Sequence, residues 1–302
     1  MPVETDALSP PVTAAAPPPE LAAAAPPPEL AAAAPPPELV AVDPRGRRRR
    51  LPRWVRRSLA PILLLALWQA LGATGVLPAQ TLSPPVAVLR KAVEMTADGT
   101  LPSAMAVSLQ RVLYGLALGG LIGIGLALAS GLSRLGEDLV DPVVQMLRTV
   151  PFIGLIPLLI IWVGIGEAPK VVLIALGVGF NLYLNLHAGI RSVDDALVEA
   201  GGSMGLNRRQ QIRHVILPGA LPGLMTGLRY ALTVSWLALV FGETINADNG
   251  IGFLMNQARE FFQTDVIVVC LLVYALLGLT ADLIVRTLER TLLSWRPTFS
   301  GT

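Results

Sequence analysis

The sequence predicts an all-α integral membrane protein with six transmembrane helices. Hydrophobic residues make up 53% of the 302-residue chain and charged residues 15%, whereas soluble domains carry roughly 25% charged residues. The mean hydropathy is +0.61. A helix needs about 20 apolar residues to cross a hydrocarbon core of about 30 Å, and six segments approach that length. They are Leu59–Leu77, Val112–Leu132, Val143–Val163, Val171–Ile190, Leu224–Ile245 and Val266–Ile284.

Residues 1–44 form a separate low-complexity region before the first apolar segment. The unit PPPEL recurs every nine residues and ends at Leu21, Leu30 and Leu39. Triple prolines favour extended polyproline II and prevent helix propagation, while alanines offer little surface to bury. This region is therefore predicted to be a disordered tail or spacer. It is not interpreted as a signal peptide, because the first apolar run begins too far from Met1.

The distribution of arginine predicts the orientation in the membrane. A run of arginines between residues 45 and 57 precedes the first apolar segment, and the positive-inside rule places such a run in the cytoplasm. Residues 45–103 are read as this basic segment, the first span and an external loop. With six spans, both termini, including the tail 291–302, and the charged segment 191–218 face the cytoplasm. The prediction is a multi-pass protein of the cytoplasmic membrane.

The spans differ in character. The first one is a candidate for a peripheral helix, and the short amphipathic stretch VAVLRKAVEM after it could lie along the outer surface. The second carries Gly115, Gly119 and Gly123, a four-residue spacing that lets a neighbouring backbone approach closely. The third is predicted to be broken by Pro151 and Pro157, each of which removes an intrahelical hydrogen bond. It is either a helix lining a pathway or a simple packed kink.

The segment 191–218, called the insert below, is polar in a chain otherwise suited to lipid, and its first half predicts a capped helix. Ser192 followed by Asp195 fits a capping box that starts a helix over Val193–Met204. Gly205 fits the left-handed position that ends a helix.

The second half of the insert predicts another helix. Asn207 followed by Gln210 repeats the capping-box pattern and starts a helix over Arg208–Ile216, which Pro218 is expected to stop. This helix is basic and amphipathic. It could lie in the headgroup layer on anionic lipid, or it could be a docking surface for a soluble partner.

The insert also carries a family resemblance. Glu199-Ala200-Gly201, then three residues, Gly205, nine residues, Val215, one residue and Leu217-Pro218 resemble the signature of binding-protein-dependent ABC importer permeases. The usual form of that signature is EAA, three residues, G, nine residues, I, one residue, LP. Gly201 and Val215 depart from it, and a glycine within a helix costs about 1 kcal/mol relative to alanine.

The rest of the chain resembles aliphatic sulfonate permease subunits from about residue 51 to residue 297. The segments that carry this likeness include QMLRTVPFIGLIPLLIIWVGIGEAPK and GIGFLMNQAREFFQTDVIVVCLLVYALLGLTADL. Taurine, nitrate and pyrimidine-precursor permeases look similar over the same stretch, so they remain alternatives. Asn181 stands where such permeases often have a proline.

The resemblance implies a type I importer permease fold over residues 104–290. It further implies a homodimer with the pathway along its interface, cytoplasmic ATPase subunits, and an extracytoplasmic solute-binding protein. The expected cargo is a small organic anion, in particular an aliphatic sulfonate used as a sulfur source.

The resemblance also implies how the insert works. A helix from Leu206 to about residue 214 would dock on the ATPase, Glu199 would hold the two insert helices together through a nearby arginine, and Gly205 would supply the turn. Pro218 and Pro222 would stiffen the junction with the fifth span. The residues expected to couple transport to ATP hydrolysis are Glu199, Ala200, Gly201, Gly205, Leu206, Arg208, Arg209, Arg213, Leu217 and Pro218.

Polar residues within spans are candidates for contacts with the cargo, because ionisable and amide groups in lipid are costly. Arg111, Arg148 and Glu243 could equally be interface anchors or structural pairs. The full set of translocation-path candidates is Arg111, Arg148, Asn181, Asn185, Glu243 and Asn246.

No residue pattern predicts covalent chemistry, a cofactor, a metal site or nucleic-acid binding. Lys91 and Lys170 lack the glycine-rich context of a phosphate loop, so ATP hydrolysis is expected on a separate chain. His187 and His214 have no partner at metal-ligand spacing, and Cys270 is the only cysteine. A secondary transporter, which needs buried coupling carboxylates, and a scaffold using the proline-rich tail are the competing hypotheses.

Overall fold

The computed structural model describes residues 53–78, 80–245, 247–293 and 295, and every regular element in them is helical. The α-helices are α1 (Arg53–Ala73), α2 (Pro85–Ala97), α3 (Thr100–Gly131), α4 (Arg134–Leu147), α5 (Ile156–Val163), α6 (Glu167–Arg191), α7 (Asp195–Ser203), α8 (Arg208–Gln211), α9 (Leu217–Ile245), α10 (Ile251–Glu260) and α11 (Thr264–Leu292). A 3₁₀ turn, Phe152–Leu155, precedes α5, and a π-helical segment, Ile212–Ile216, joins α8 to α9. The predicted tail 1–44 lies outside these residues.

The predicted all-α membrane fold is confirmed, but the predicted six spans are not all found. Among the described residues, four helices are long and apolar enough to cross a membrane: α3, α6, the continuous helix Arg208–Ile245 and α11. A fifth span is present if α4 and Phe152–Val163 count as one. The apolar part of α1, Leu59–Ala73, is too short to qualify.

The predicted break of the third span, Val143–Val163, is confirmed at Pro151, but the break predicted at Pro157 is wrong. The chain turns by 84° between α4 and Phe152–Val163, and Pro151 lies at the break with an extended backbone. Pro157 does not break a helix, because it lies in the first turn of α5, where a missing N–H leaves no hydrogen bond unmade.

The glycine spacing of α3 produces the predicted close packing. A Cβ atom built at Gly123 would lie 2.5 Å from the carbonyl oxygen of Gly179 on α6. One built at Gly119 would overlap the backbone of Ala175. Lipid provides no hydrophobic effect to bring helices together, so such close backbone contact supplies the packing energy.

The other face of α6 packs against α9 in the same way. A Cβ atom at Gly223 would lie 2.9 Å from the Cα of Gly189, and one at Gly227 would lie 3.2 Å from the carbonyl oxygen of Asn181. Helix α6 is therefore held between α3 and α9, and these three helices form the centre of the bundle.

A second apolar core lies at the end of the bundle where α3 and α11 begin. It joins α2, α10 and the first turns of α3 and α11, and its buried members include Val88, Met95, Ile251, Val269 and Cys270. Val86, Leu89 and Val93 occupy the exposed face of α2. The amphipathic stretch predicted after the first span is thus a helix packed by one face on the bundle.

Candidate functional sites: the insert and the buried charge network

The first helix of the insert begins two residues later than the sequence predicts. Asp194, not Ser192, is its N-cap, and the Asp194 carboxylate accepts a hydrogen bond of 2.9 Å from the Ala196 N–H. Ser192 instead ends α6, where its hydroxyl donates to the Gly189 carbonyl. The predicted capping box of Ser192 and Asp195 is wrong, because α6 extends to Arg191 and uses Ser192 as its C-cap.

Gly205 ends α7 in the left-handed conformation that the sequence predicts. Its φ is +84°, a region that glycine enters without a steric penalty. The Gly205 N–H donates to the Gly202 carbonyl at 2.9 Å, and the Leu206 N–H donates to the Gly201 carbonyl at 3.0 Å. This pair of bonds is a Schellman motif, so the turn of the insert has a defined geometry.

The second helix of the insert has the predicted capping box. The Asn207 side chain accepts from the Gln210 N–H at 3.0 Å, and the Gln210 side chain accepts from the Asn207 N–H at 2.9 Å. Two backbone donors at the helix start are thereby satisfied.

The predicted stop at Pro218 is wrong. The helix continues from Arg208 to Ile245 over 38 residues. In an α-helix, a residue with an N–H at position 218 would bond to the carbonyl four residues earlier, and proline has no such donor. The helix accommodates this through the π-helical segment, in which the Leu217 N–H bonds to the Ile212 carbonyl. The insert and the span α9 are therefore one continuous helix.

Several contacts hold the insert against the ends of the spans. The Arg208 guanidinium donates to the Leu132 carbonyl at the end of α3 at 2.9 Å. Arg191, at the end of α6, forms an ion pair with Glu137 in the first turn of α4. Glu199 is exposed and forms no ion pair with a described residue; its backbone carbonyl accepts from the Ser203 hydroxyl.

The rest of the insert surface is open to a partner. Met204, at the turn, is 76% exposed, and Arg209 and Arg213 are also exposed. Their guanidinium groups form no ion pair with a described residue. The insert therefore presents an apolar side chain and two unpaired positive charges next to its tightly bonded turn.

Gly201 is buried, and the structure explains why the family pattern has alanine there. A Cβ atom at this position would meet Leu206 at 3.4 Å and Val215 at 3.7 Å, which are ordinary contacts. Gly201→Ala is expected to raise the free energy of unfolding by about 1 kcal/mol. Thermal unfolding of the purified protein measures this.

Gly205→Ala is the matched control for that substitution, because its space is open but its φ is positive. It is expected to lower stability by about 1 kcal/mol. A lower melting temperature for Gly201→Ala would contradict the packing described around Gly201.

The second polar site is a buried charge network centred on Arg111 of α3. Its Nε and Nη2 donate to the two carboxylate oxygens of Glu167 at 2.5 and 2.7 Å, a bidentate pair. Its Nη1 donates to Glu243 Oε1 at 2.5 Å and to the Asn249 carbonyl at 2.7 Å. Lys170 adds a bond of 2.9 Å to Glu167, whose side chain is 61% exposed and lies at the edge of the network.

Glu243 of α9 completes the network. Ser108 donates to Glu243 Oε1 at 2.7 Å, and Tyr274 and the Gly252 N–H donate to Oε2 at 3.1 and 2.8 Å. The side chain of Glu243 is fully buried and that of Arg111 is 3% exposed. Such charges are stable away from water only when they are paired and hydrogen-bonded. The network joins α3, α6, α9, α10 and α11.

The predicted translocation-path residues lie in separate places. Arg111 and Glu243 bind each other, and each makes several further bonds to the protein. Asn181 and Asn185 are half-buried on α6, and each amide donates to the carbonyl four residues earlier at 2.8 Å. Arg148 is exposed after the end of α4. Asn246 lies outside the described residues.

Sequence reasoning missed one charged residue inside a predicted span. Arg229 lies within Leu224–Ile245, and on α9 it faces Asp282 and Glu289 of α11. The available signal was its charge in an apolar run, which by itself marks a functional candidate. Ser108, Glu167 and Lys170 were also missed as members of the buried network.

The packed spans and the capped helical insert define this protein as a multi-pass membrane protein with a folded polar insert. Residues 119–294 match the family model described as binding-protein-dependent transport system inner membrane component. The chain belongs to this family. It is therefore a permease subunit of an ABC importer located in the inner membrane, and not an enzyme. The family implies an ATPase and a solute-binding protein as partners.

Three named transport proteins align with most of the chain. It is 47% identical over 79% of its length to the aliphatic sulfonates transport permease protein SsuC of Escherichia coli (strain K12), covering 91% of that protein. It is 38% identical over 82% of its length to the SsuC protein of Bacillus subtilis (strain 168), covering 90% of it. The taurine transport system permease protein TauC of Escherichia coli is 36% identical over 81% of this chain and 91% of its own length.

A solved structure has the same fold. The crystal structure of an amino acid ABC transporter with histidines matches 66% of this chain and 97% of its own chain with a TM-score of 0.56. The sequence identity is 17%, so this likeness concerns the fold alone.

Proposed function

We propose that this permease moves aliphatic sulfonates into the cell. The support comes from the two sulfonate permease relatives, which match the chain over about four-fifths of its length. A small anionic head group with a short apolar tail is the chemistry expected of the cargo. Taurine, which is itself a sulfonate, is the second candidate, favoured by the relative TauC.

The insert is proposed to be the element that receives movement from the ATPase. The observation that carries this is its continuity with α9: one helix of 38 residues runs from Arg208 into the bundle. A displacement of α8 by the ATPase would therefore also move α9. It would reach α6 as well, because the backbone of α6 contacts that of α9 at Gly189. Arg209 and Arg213 would contact the ATPase surface, while Arg208 binds the start of this helix to the end of α3.

The remaining residues of the family motif have supporting roles in this proposal. Gly205 fixes the turn, and Gly201 and Leu206 pack in its core. Glu199 and Ala200 lie on the exposed side of α7, where they would contact the ATPase. Leu217 and Pro218 form the junction with α9. With α1 as a sixth span, the insert and both termini face the cytoplasm, and two copies of the chain enclose the pathway within the lipid.

Among the path candidates, Asn181, Asn185 and Arg148 are proposed to face the cargo at some stage of transport. Arg111 and Glu243 are proposed to act as a structural pair, because their hydrogen-bonding groups are engaged within the protein. Asn246 follows α9 directly and stays a candidate. The proposed domain organisation keeps a spacer over 1–44, a peripheral first helix within 45–103, the transport domain over 104–290 and a tail over 291–302.

Transport by the reconstituted importer tests this function. The permease would be placed in proteoliposomes with its ATPase and binding protein, and uptake of labelled ethanesulfonate and ATP hydrolysis would be measured together. Uptake is expected only with ATP. The double variant Arg209→Glu, Arg213→Glu is expected to lower uptake and ATPase stimulation at least tenfold, because charge reversal at a complementary interface costs several kcal/mol.

The matched control is Arg90→Glu, an exposed charge on α2 far from the insert, which is expected to leave both rates unchanged. ATP-independent uptake that collapses with the proton gradient would contradict the proposal and favour a secondary transporter. Uptake of taurine in place of ethanesulfonate would select the second candidate.

A further inference from the structure

A cavity with a mostly apolar lining lies between α9 and α11, next to the buried charge network, with which it shares Tyr274. Its volume is about 270 Å³. Arg229, Thr233 and Trp236 line it from α9, and Asp282 lies opposite on α11. Residues 229, 233 and 236 are spaced by four and three positions, so they share one face of α9. We call them the α9 stripe.

Arg229 supplies the stripe with donors that the protein does not use. A guanidinium has five N–H groups. Among the described residues, only Nη2 finds a hydrogen-bond acceptor, Glu289 Oε2 at 2.5 Å, while Nε lies 3.8 Å from Asp282 Oδ1. Asp282 is shared, since it also accepts from Arg286 at 2.7 Å. The Arg229 side chain is 44% exposed, so its remaining N–H groups are accessible to a further anionic group.

Trp236 supplies a second unused donor. Its indole nitrogen is buried and has no hydrogen-bond partner among the described residues. An indole N–H can only donate, and a buried one normally finds an acceptor. Thr233 lies between the two, with its hydroxyl donating to the Arg229 carbonyl at 3.1 Å. The stripe therefore carries unused donors at both ends, but the indole N–H is covered in this structure and meets a bound molecule only when the Trp236 ring turns toward the cavity.

The rest of the cavity fits a short apolar tail. Its other lining residues include Leu232, Gly278, Ala281 and Val285. At about 30 Å³ for a water molecule, 270 Å³ holds roughly nine water-sized groups, enough for the non-hydrogen atoms of ethanesulfonate. Three sulfonate oxygens can accept from several donors at once, and the Asp282 carboxylate on the opposite wall is already paired with Arg286.

We propose that the α9 stripe is a contact site for the anionic head group of the transported molecule. This rests on the proposed function, since it assumes an organic anion as cargo. Arg229 binds the head group, Trp236 orients it through its N–H, and the α11 side holds the tail. The site lies on the same continuous helix as the insert, so movement of that helix changes the site directly.

The test uses the full importer in proteoliposomes and compares kcat/KM for ethanesulfonate uptake. Trp236→Phe, which removes the N–H and keeps an aromatic ring, is expected to lower kcat/KM about tenfold, the effect of one hydrogen bond to a charged group. Its control is Trp162→Phe on α5, where Trp162 is 69% exposed. Arg229→Gln is expected to lower kcat/KM at least tenfold, with Arg290→Gln as the control.

A double variant separates contact with the cargo from a structural ion pair. If Arg229 only neutralises Glu289, then Arg229→Gln with Glu289→Gln restores uptake, and that result overturns the proposal. If Arg229 binds the anion, the double variant stays as slow as Arg229→Gln. Variants that match their controls also overturn the site, while wild-type transport stands. A wild-type importer that moves neither ethanesulfonate nor taurine overturns the proposed function itself, and the site with it.

Discussion

Glu243→Ala is expected to destabilise the permease by about 3–5 kcal/mol, the cost of removing one partner of a buried ion pair. The substitution leaves Arg111 with one fewer carboxylate and removes the acceptor of Ser108, Tyr274 and the Gly252 N–H. The five helices that meet there then lose their common polar contact. Thermal unfolding of the detergent-purified protein is the measurement, with expression level as a second readout.

An exposed ion pair provides the control for this effect. Lys91 and Glu94 on α2 form a bond of 3.1 Å, but the Glu94 side chain is 60% exposed. Solvent screens such pairs, which are worth about 0–1 kcal/mol, so Glu94→Ala is expected to change the melting temperature little. Equal melting temperatures for Glu243→Ala and Glu94→Ala would show that the buried network does not hold the bundle together.

Gly123→Val is expected to prevent the native packing of α3 on α6. A Cβ atom there would lie 2.5 Å from the Gly179 carbonyl oxygen, and backbone cannot rotate away as a side chain can. Forcing extra atoms into a packed interface costs about 1–3 kcal/mol and more where backbone must move. We expect a protein that is degraded or aggregates on extraction, measured by membrane yield and size-exclusion profile.

Gly125→Val in the same helix is the matched control. It changes the same residue type two positions away, where an added Cβ atom meets nothing within 4 Å. Both variants have the same helix propensity, so any difference between them reports packing alone. Equal yields and profiles for the two would mean that α3 and α6 are not in direct backbone contact.

The sequence was sufficient where structure depends on local chemistry. The spacing of Gly115, Gly119 and Gly123 predicted close helix packing, because glycines on one face of a helix let a neighbouring backbone approach closely. Gly205, Asn207 and Gln210 predicted the turn and the second capping box correctly, since these motifs involve residues only a few positions apart.

Two local predictions were wrong because the neighbouring helix extends further than the local motif indicates. Ser192 and Asp195 have capping-box spacing, but α6 continues to Arg191 and Ser192 is its C-cap. Pro218 was read as a stop, but the π-helical turn before it absorbs the missing donor. Both errors arise because a pattern of three or four residues does not show how far the flanking helices extend.

Long-range contacts could not be predicted from the sequence. Arg111 and Glu243 were both identified as polar residues in spans, yet their partnership joins positions 132 residues apart. Arg229, which was missed, and its neighbour Asp282 lie in different apolar runs. Which charges meet depends on the order in which α3, α6, α9 and α11 pack, and that order is not visible in hydropathy.

The proposed mechanism depends on the insert binding the ATPase, and labelling at Met204 tests this binding most directly. Cys270 is the only cysteine, so Cys270→Ala with Met204→Cys gives one reactive thiol at the exposed turn. A photoreactive maleimide on that thiol is expected to cross-link to the ATPase chain in assembled importers. The same label at Phe261→Cys, after α10, is expected not to do so.

A membrane-impermeant maleimide added to intact cells is expected to reverse the pattern of modification between the two positions. We expect it to label Phe261→Cys and to leave Met204→Cys unmodified. Labelling of Met204→Cys from outside the cell, or cross-links from it to lipid alone while transport proceeds, would contradict the assignment of the insert as the surface that binds the ATPase.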